Sequence, residues 1–260
     1  MAWERELETA LELVKAAGQV ALGWFRQGVP AAAKNDGSPV TEADRACERL
    51  IAARLAEQFP ADGILGEEGA NRPAQSGRRW IVDPIDGTRD FLRGSFLWSH
   101  LLALEAEGEV VLGVAFFPAQ GRLFHAVRGQ GAWCVEGRTE SQLHCSDIAD
   151  PSRAVLCFNQ PAQALGAEWG PRLLPFLARF WAFRCLGGAT DAMLVASGSA
   201  DVYLEAGLKP WDVAALCMIA REAGCIFHDF AGRDTIYGGS AAIYTPGLRP
   251  AVRSFLGLEG

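Results

Sequence analysis

Basic charge is scarce in this sequence: 24 lysines and arginines face 31 aspartates and glutamates, a formal net charge of −7. Such a balance argues against a non-specific polyanion binder, so nucleic acid is not an expected partner, although local positive charge or a metal can still hold a phosphate. Long apolar runs are missing too. The longest, such as Val110–Phe117, are strand-sized and fall far short of the ~20 residues that cross a bilayer as a helix. The opening residues Met1-Ala2-Trp3-Glu4-Arg5-Glu6 carry neither a basic n-region nor an apolar h-region, so no signal peptide is expected. Histidine occurs four times and never in H-x-x-x-H zinc spacing. The seven cysteines (47, 134, 145, 157, 185, 217 and 225) form no C-x-x-C pair and are odd in number. They read as reduced, mostly buried thiols of a cytoplasmic protein, not as a disulfide framework or metal cluster. No internal repeat or low-complexity tract is present.

What remains is a globular chain. Half of the 260 residues are hydrophobic, ample for one large domain or two half-size ones. Residues 3–25 place Leu7, Leu11, Val14, Gly18, Ala21 and Phe25 on one stripe, which predicts an amphipathic helix ended by Gly28-Val29-Pro30. A polar turn over Lys34–Pro39 leads to a second helix from about Glu42 to Gln58. After Gly66-Glu67-Glu68-Gly69 and a turn-rich stretch to Arg79, the period changes. Trp80–Val82, Ser99–Leu104, Val110–Phe117, Arg122–Val127 and Ala132–Val135 read as an antiparallel meander with helices packed over it. In the second half, strands are expected at Ala154–Phe158, Asp201–Leu204 and Cys225–His228, and helices at Trp169–Phe180, 189–197 and Trp211–Ala223. The composition dips at 147–152, which sets an expected boundary between residues 1–148 and 149–260. The class is α+β, with two sheets and helices between and outside them.

The chemistry concentrates in Trp80-Ile81-Val82-Asp83-Pro84-Ile85-Asp86-Gly87-Thr88-Arg89. A strand runs into Asp83, Pro84 cannot donate to a ladder, Asp86 follows, and Gly87-Thr88 allows a tight turn. Two carboxylates at a strand end, followed by bare N–H groups, would gather cations and offer donors to an anion. The plainer reading is local, with Asp86 as a helix N-cap and Asp83 closing a turn. Glu67 and Glu68 stand between glycines just ahead of the strand, and Glu68 could be a solvated charge. Asp212, in Trp211-Asp212-Val213, opens a helix and could cap it. Thr41-x-x-Asp44 matches a loose capping box.

Four words in order, Val40-Thr41-Glu42-Ala43-Asp44, Gly66-Glu67-Glu68, Asp83-Pro84-Ile85-Asp86-Gly87-Thr88 and Trp211-Asp212-Val213-Ala214-Ala215, resemble the inositol monophosphatase family of metal-dependent phosphatases. The likeness runs from Lys34 to about Gly247. It implies a layered αβαβα sandwich, with a mainly antiparallel first sheet and a smaller mixed second one, commonly a homodimer, that hydrolyses small phosphorylated metabolites and is often inhibited by lithium. It further implies that Glu67, Asp83 and the carbonyl of Ile85 hold one Mg²⁺ and that Asp83, Asp86 and Asp212 hold a second. Glu67 would face a weaker third, with Mn²⁺ an alternative ion. Thr88 and Asp44 would orient the attacking water and accept its proton, assisted by Glu68, while Gly87 and Thr88 N–H groups hold phosphate oxygens. Lys34 would add a cationic contact, or else be a solvated loop lysine.

The alcohol is read from the wording after the motif. Arg89-Asp90-Phe91-Leu92-Arg93-Gly94, Leu208-Lys209-Pro210 and Thr235-Ile236-Tyr237-Gly238-Gly239-Ser240 are similar to the branch that hydrolyses histidinol phosphate in histidine biosynthesis. Inositol monophosphate, or a broad range of monoesters, is the alternative. Glu205 would meet a substrate hydroxyl or ammonium, or be a strand-end surface charge, and Asp191 is a second candidate amine contact. Nucleotide 3′-phosphates or sugar bisphosphates, and a non-catalytic scaffold with a vestigial site, complete the readings.

Overall fold

The computed structural model describes residues 3–28, 30–34 and 39–258; Val29 and residues 35–38 of the expected polar turn lie outside the described residues. The chain begins with α1 (Glu4–Trp24), a short hairpin of β1 (Ala31–Ala33) and β2 (Pro39–Thr41), and α2 (Glu42–Gln58). Thr41 and Asp44 start α2 with a full capping box, Thr41 Oγ1 accepting from the Ala43 and Asp44 amides and Asp44 Oδ2 accepting from Thr41 N at 2.8 Å. Then follow β3 (Gly63–Gly66), β4 (Asn71–Arg72), β5 (Arg78–Asp86), α3 (Thr88–Leu92), β6 (Ser99–Ala106), β7 (Glu109–Phe117), β8 (Arg122–Val127), β9 (Ala132–Glu136) and β10 (Thr139–Gln142). These eight strands from β3 onward make one sheet in the order β10-β9-β8-β7-β6-β5-β3-β4, antiparallel except where β3 runs parallel to β5. The second sheet is built from β11 (Val155–Phe158), α4 (Leu173–Leu177), β12 (Ala182–Arg184), α5 (Gly188–Ala196), β13 (Val202–Ala206), α6 (Pro210–Glu222), β14 (Ile226–His228), β15 (Ser240–Tyr244) and α7 (Arg249–Leu256). Its order is β12-β11-β13-β15-β14, with β11 parallel to both neighbours and the remaining pairs antiparallel.

Alternation along the strands produces the layers. Trp80, Val82, Leu102 and Leu104 face one side and pack with Ala10, Val14, Ala17, Ile51 and Leu55 of α1 and α2. Their neighbours Ile81, Leu101 and Ala103 face the other side, where they meet α5, α6 and the inner residues Cys157, Tyr203, Ala241 and Ile243 of the second sheet. Leu156, Phe158, Leu204 and Tyr244 then cover the outer face against α4 and α7. The result is the αβαβα sandwich expected above. Among the described residues, no helix is long and apolar enough to cross a membrane.

Several expectations need correction. The strand does not stop at Asp83: β5 continues through Pro84 to Asp86, and the ladder shifts register between those two acids because Pro84 has no N–H to donate. The helix expected over Trp169–Phe180 shrinks to a 3₁₀ turn at Gly170–Arg172 and α4, since Pro175 is tolerated only in a helix's first turn. The hairpin β1–β2, the edge strands β4, β10 and β12, the parallel partner β3 and the inner strand β15 have too few periodic residues to be seen beforehand, and α7, although Ala251, Val252, Phe255 and Leu256 recur at helical spacing, is only eight residues long.

Helix α6 lies close on β7 because Gly113 lacks a side chain: a Cβ there would stand 2.6 Å from the carbonyl oxygen of Ala215 and 3.0 Å from its Cα. Both are backbone atoms that cannot step aside. Gly113→Ala is therefore expected to push α6 off the sheet and cost roughly 2–3 kcal/mol, read as a lowered denaturation midpoint, with loss of activity because Asp212 rides on that helix.

Candidate active site

The register shift in β5 turns Asp83, Ile85 and Asp86 toward a cleft of about 470 Å³ between the two sheets. Glu67, from the segment after β3, and Gly87 and Thr88, at the start of α3, line it as well. From the second half come Glu205 at the end of β13, Asp212 in the first turn of α6, and the segments Asn159–Pro161 and Cys185–Gly188. Gly87 takes φ 84°, a left-handed conformation that favours glycine, and opens α3 without a side-chain cap. Asp86 is therefore not the N-cap of α3; its Oδ2 instead accepts from Ala189 N of α5 at 3.3 Å. Asp212 Oδ2 accepts from Lys209 N at 2.6 Å, so it caps its helix from inside the first turn while also facing the cleft.

Burial and like charge dominate the electrostatics. Asp83 is held well above the usual carboxylate range by burial and by the charges of Glu67, Asp86 and Asp212. Burial likewise raises Asp86 to about 6 and Glu205 to about 7, and holds Asp212 well up, with Asp86 and Glu67 adding repulsion there. Glu205 is no surface charge: it is buried and accepts from Tyr203 Oη at 2.7 Å. Lys34 is not a free loop lysine either. Its Nζ pairs with Glu67 Oε1 at 2.7 Å and Glu68 Oε1 at 2.5 Å, and although burial pulls its pKa down, the two carboxylates outweigh it and raise the group.

Asp44 is fully buried at the foot of α2; burial raises its pKa, and its Oδ1 accepts from Thr88 Oγ1 at 3.2 Å. The same hydroxyl lies 3.2 Å from the carbonyl of Ile85. Asp191 stands behind the cleft wall, fully buried, with its Oδ2 accepting from Asn159 Nδ2 and from the amides of Leu186 and Gly187. It does not line the cleft, which corrects the expected amine contact.

Two residues that shape the site escape sequence reasoning. Glu48 accepts from the amides of Glu68 and Ala70, both at 2.8 Å, and so fixes the segment that carries Glu67. Its position one turn after Asp44 on α2 is the only signal for it. His100, fully buried on β6, bonds through Nδ1 to the carbonyl of Pro84, and burial lowers its pKa to about 4. A neutral imidazole that donates from Nδ1 thus braces the irregular stretch of β5.

The donor set fits a hard divalent cation. Asp83 Oδ1 is buried without a hydrogen-bond partner among the acids of the cleft, an oxygen open to a cation. Among the described residues, no three acids yet converge as a finished ligand shell, and Lys34 occupies Glu67. A bound cation would remove the repulsion that holds these carboxylates apart.

A sandwich of this topology thus carries a cleft that gathers Glu67, Asp83, Asp86 and Asp212 beside the amides that open α3, a site for cations and an anion together. Residues 2–253 match the model of the inositol monophosphatase family. The chain is 40% identical to a histidinol-phosphatase of Chlorobaculum parvum, over 92% of this chain and 91% of that one. It is 36% identical to an inositol-1-monophosphatase of Mesorhizobium japonicum, over 82% and 81%. An IMPase structure from Thermotoga maritima superposes with a TM-score of 0.87 at 27% identity, covering 98% of this chain and 97% of that one. The chain belongs to the inositol monophosphatase family and is a phosphatase.

Proposed function

We propose that the protein hydrolyses histidinol phosphate to histidinol with Mg²⁺, the observation that carries this being the four acids Glu67, Asp83, Asp86 and Asp212 gathered at one cleft around an unpartnered, buried Asp83 oxygen. Glu67, Asp83, Asp86, Asp212 and the carbonyl of Ile85 would hold two or three divalent ions. When bound, such ions neutralise charge on phosphate oxygens and make nearby water more acidic. The chain's own residues supply the rest. The first amides of α3, at Gly87 and Thr88, have no partner within their helix and are available to phosphate oxygens at the cleft. Thr88, donating to Asp44, keeps its lone pairs for an attacking water, and Asp44, with its raised pKa, accepts the proton relayed through that hydroxyl. Glu68 shares Lys34 with Glu67 and sets where that carboxylate points. The alcohol leaves toward Glu205, an acid suited to the ammonium of an amino alcohol. The 40% identity to a histidinol-phosphatase supports this alcohol.

Inositol phosphate is the second reading, since Glu205 can equally accept from a hydroxyl and an inositol-1-monophosphatase is 36% identical. Phosphate release from both esters, with Mg²⁺ and with EDTA, separates them. A kcat/KM at least ~100-fold higher for histidinol phosphate, about 2.7 kcal/mol, is expected. Equal rates would make this a broad monoesterase.

A further inference from the structure

We propose that Asp191, a residue outside the cleft, decides which alcohol the enzyme accepts, by tying together the two segments that form the alcohol-side wall; the proposal rests on the hydrolase reading above. The wall consists of Asn159, Gln160 and Pro161 after β11 and of Cys185 to Gly188 before α5. These segments are far apart in sequence: Asn159 and Gln160 follow β11 and Pro161 opens a 3₁₀ turn, while Cys185 to Gly187 lead into α5 at Gly188. One oxygen joins them: Asp191 Oδ2 accepts from Asn159 Nδ2 at 2.9 Å, from Leu186 N at 3.0 Å and from Gly187 N at 3.3 Å. Asn159 in turn accepts from Cys185 Sγ at 3.2 Å, closing a second link between the segments.

A carboxylate suits this place for a physical reason. It lies in the first turn of α5, where the amide dipoles favour negative charge, and three donors converge on it out of water. The helix it anchors reaches both halves of the site, because Ala189 N donates to Asp86 and a side chain on Gly188 would stand 3.1 Å from Glu205 Oε2. The position of Gly188 thus sets the free space beside Glu205, and Asp191 sets the position of Gly188. A polar, extended alcohol would use this wall, and a small apolar one would not.

The test compares Asp191→Ala, Asp191→Asn and wild type on histidinol phosphate and on phenyl phosphate with saturating Mg²⁺. The ratio of kcat/KM between the two esters is expected to fall at least ~10-fold in Asp191→Ala, mainly through KM of the larger substrate. Asp191→Asn, which keeps one acceptor oxygen for all three donors, should recover most of the ratio. If both esters lose activity in equal proportion as the melting temperature drops, Asp191 is a structural residue only and the proposal is overturned. Should Asp191→Ala not fold, Asn159→Ala cuts one arm of the tie, and an unchanged ratio there overturns the proposal as well. If wild type leaves histidinol phosphate intact, that substrate reading has failed on its own; the same ratio is then measured with inositol 1-phosphate, and it decides the role of Asp191 independently.

Discussion

Asp212→Asn is expected to abolish Mg²⁺-dependent phosphate release, lowering kcat/KM at least about a thousand-fold, or ~4 kcal/mol, while the metal-free protein melts higher than wild type. The two effects have one cause. Asp212 shares its cleft with Asp86, Glu67 and Glu205, whose charges, together with burial, hold its carboxyl well above the usual range. Keeping such a carboxyl in the cleft costs the folded state either repulsion or the uptake of a proton, and an asparagine carries neither cost. Asparagine keeps the helix start, since its side-chain oxygen can still accept from Lys209 N at the 2.6 Å geometry seen for Asp212. What it loses is an anionic ligand, which a hard cation prefers to an amide. Thermal melts with and without Mg²⁺ separate this from misfolding: the variant should gain little on adding the ion. An Asp212→Asn enzyme with normal turnover would sink the assignment of that residue to the metal. Asp86→Asn should behave alike, with its tie to Ala189 N retained.

Why some of this could be read from the sequence, and some could not, follows from the range of the interactions. Helix α2 is legible to the residue, because its capping box and its apolar steps are local. The central strands are legible because both faces of the large sheet are buried and their alternation or continuity is strong. The acids at 67, 83, 86 and 212 stand out because each lies in a short, distinctive word, and the cleft collects all four. The wall of Asn159–Pro161 and Cys185–Gly188 gives no such signal, because the bond from Asn159 to Asp191 joins residues 32 apart that only the fold brings together. Asp191 looked like a candidate contact because sequence shows an acid near the site but not which way the helix turns it. Glu205 and Lys34 each had a solvated reading, removed only when the partners, Tyr203 for one and Glu67 with Glu68 for the other, came together across the fold.

In EDTA, the protein is expected to become less stable as pH rises from 6 to 8, and Mg²⁺ is expected to cancel or reverse that loss. The sign follows from the acids of the cleft. Glu205, at about 7, and Asp83 and Asp212, well above the usual range, stay protonated in the folded state at pH values where the unfolded chain, with carboxyls near ~4, has already released its protons. A folded state that binds more protons than the unfolded one loses stability as protons are withdrawn. Glu205 alone accounts for about 1 kcal/mol between pH 6 and 8, and the two aspartates add to it. His100 works in the opposite direction. Its folded pKa is lowered to about 4, so its contribution is present above the unfolded value of ~6.5 and is lost as pH falls toward 4. The upper end of that titration, about 0.8 kcal/mol between pH 6 and 8, falls inside the chosen window and offsets part of the Glu205 effect, so the net fall rests on the aspartates as well. Ion binding replaces the missing protons with positive charge, and a ligand at 100 times its Kd adds about 2.7 kcal/mol. Melting curves in EDTA should therefore drop by a few degrees from pH 6 to pH 8, and those in excess Mg²⁺ should not. A melting temperature that climbs across this range without metal, or that ignores Mg²⁺ at pH 8, would mean that the cleft acids are not the repelling, cation-seeking cluster described here. Asp212→Asn provides the control, because with one charge removed its pH slope in EDTA should be the shallower of the two.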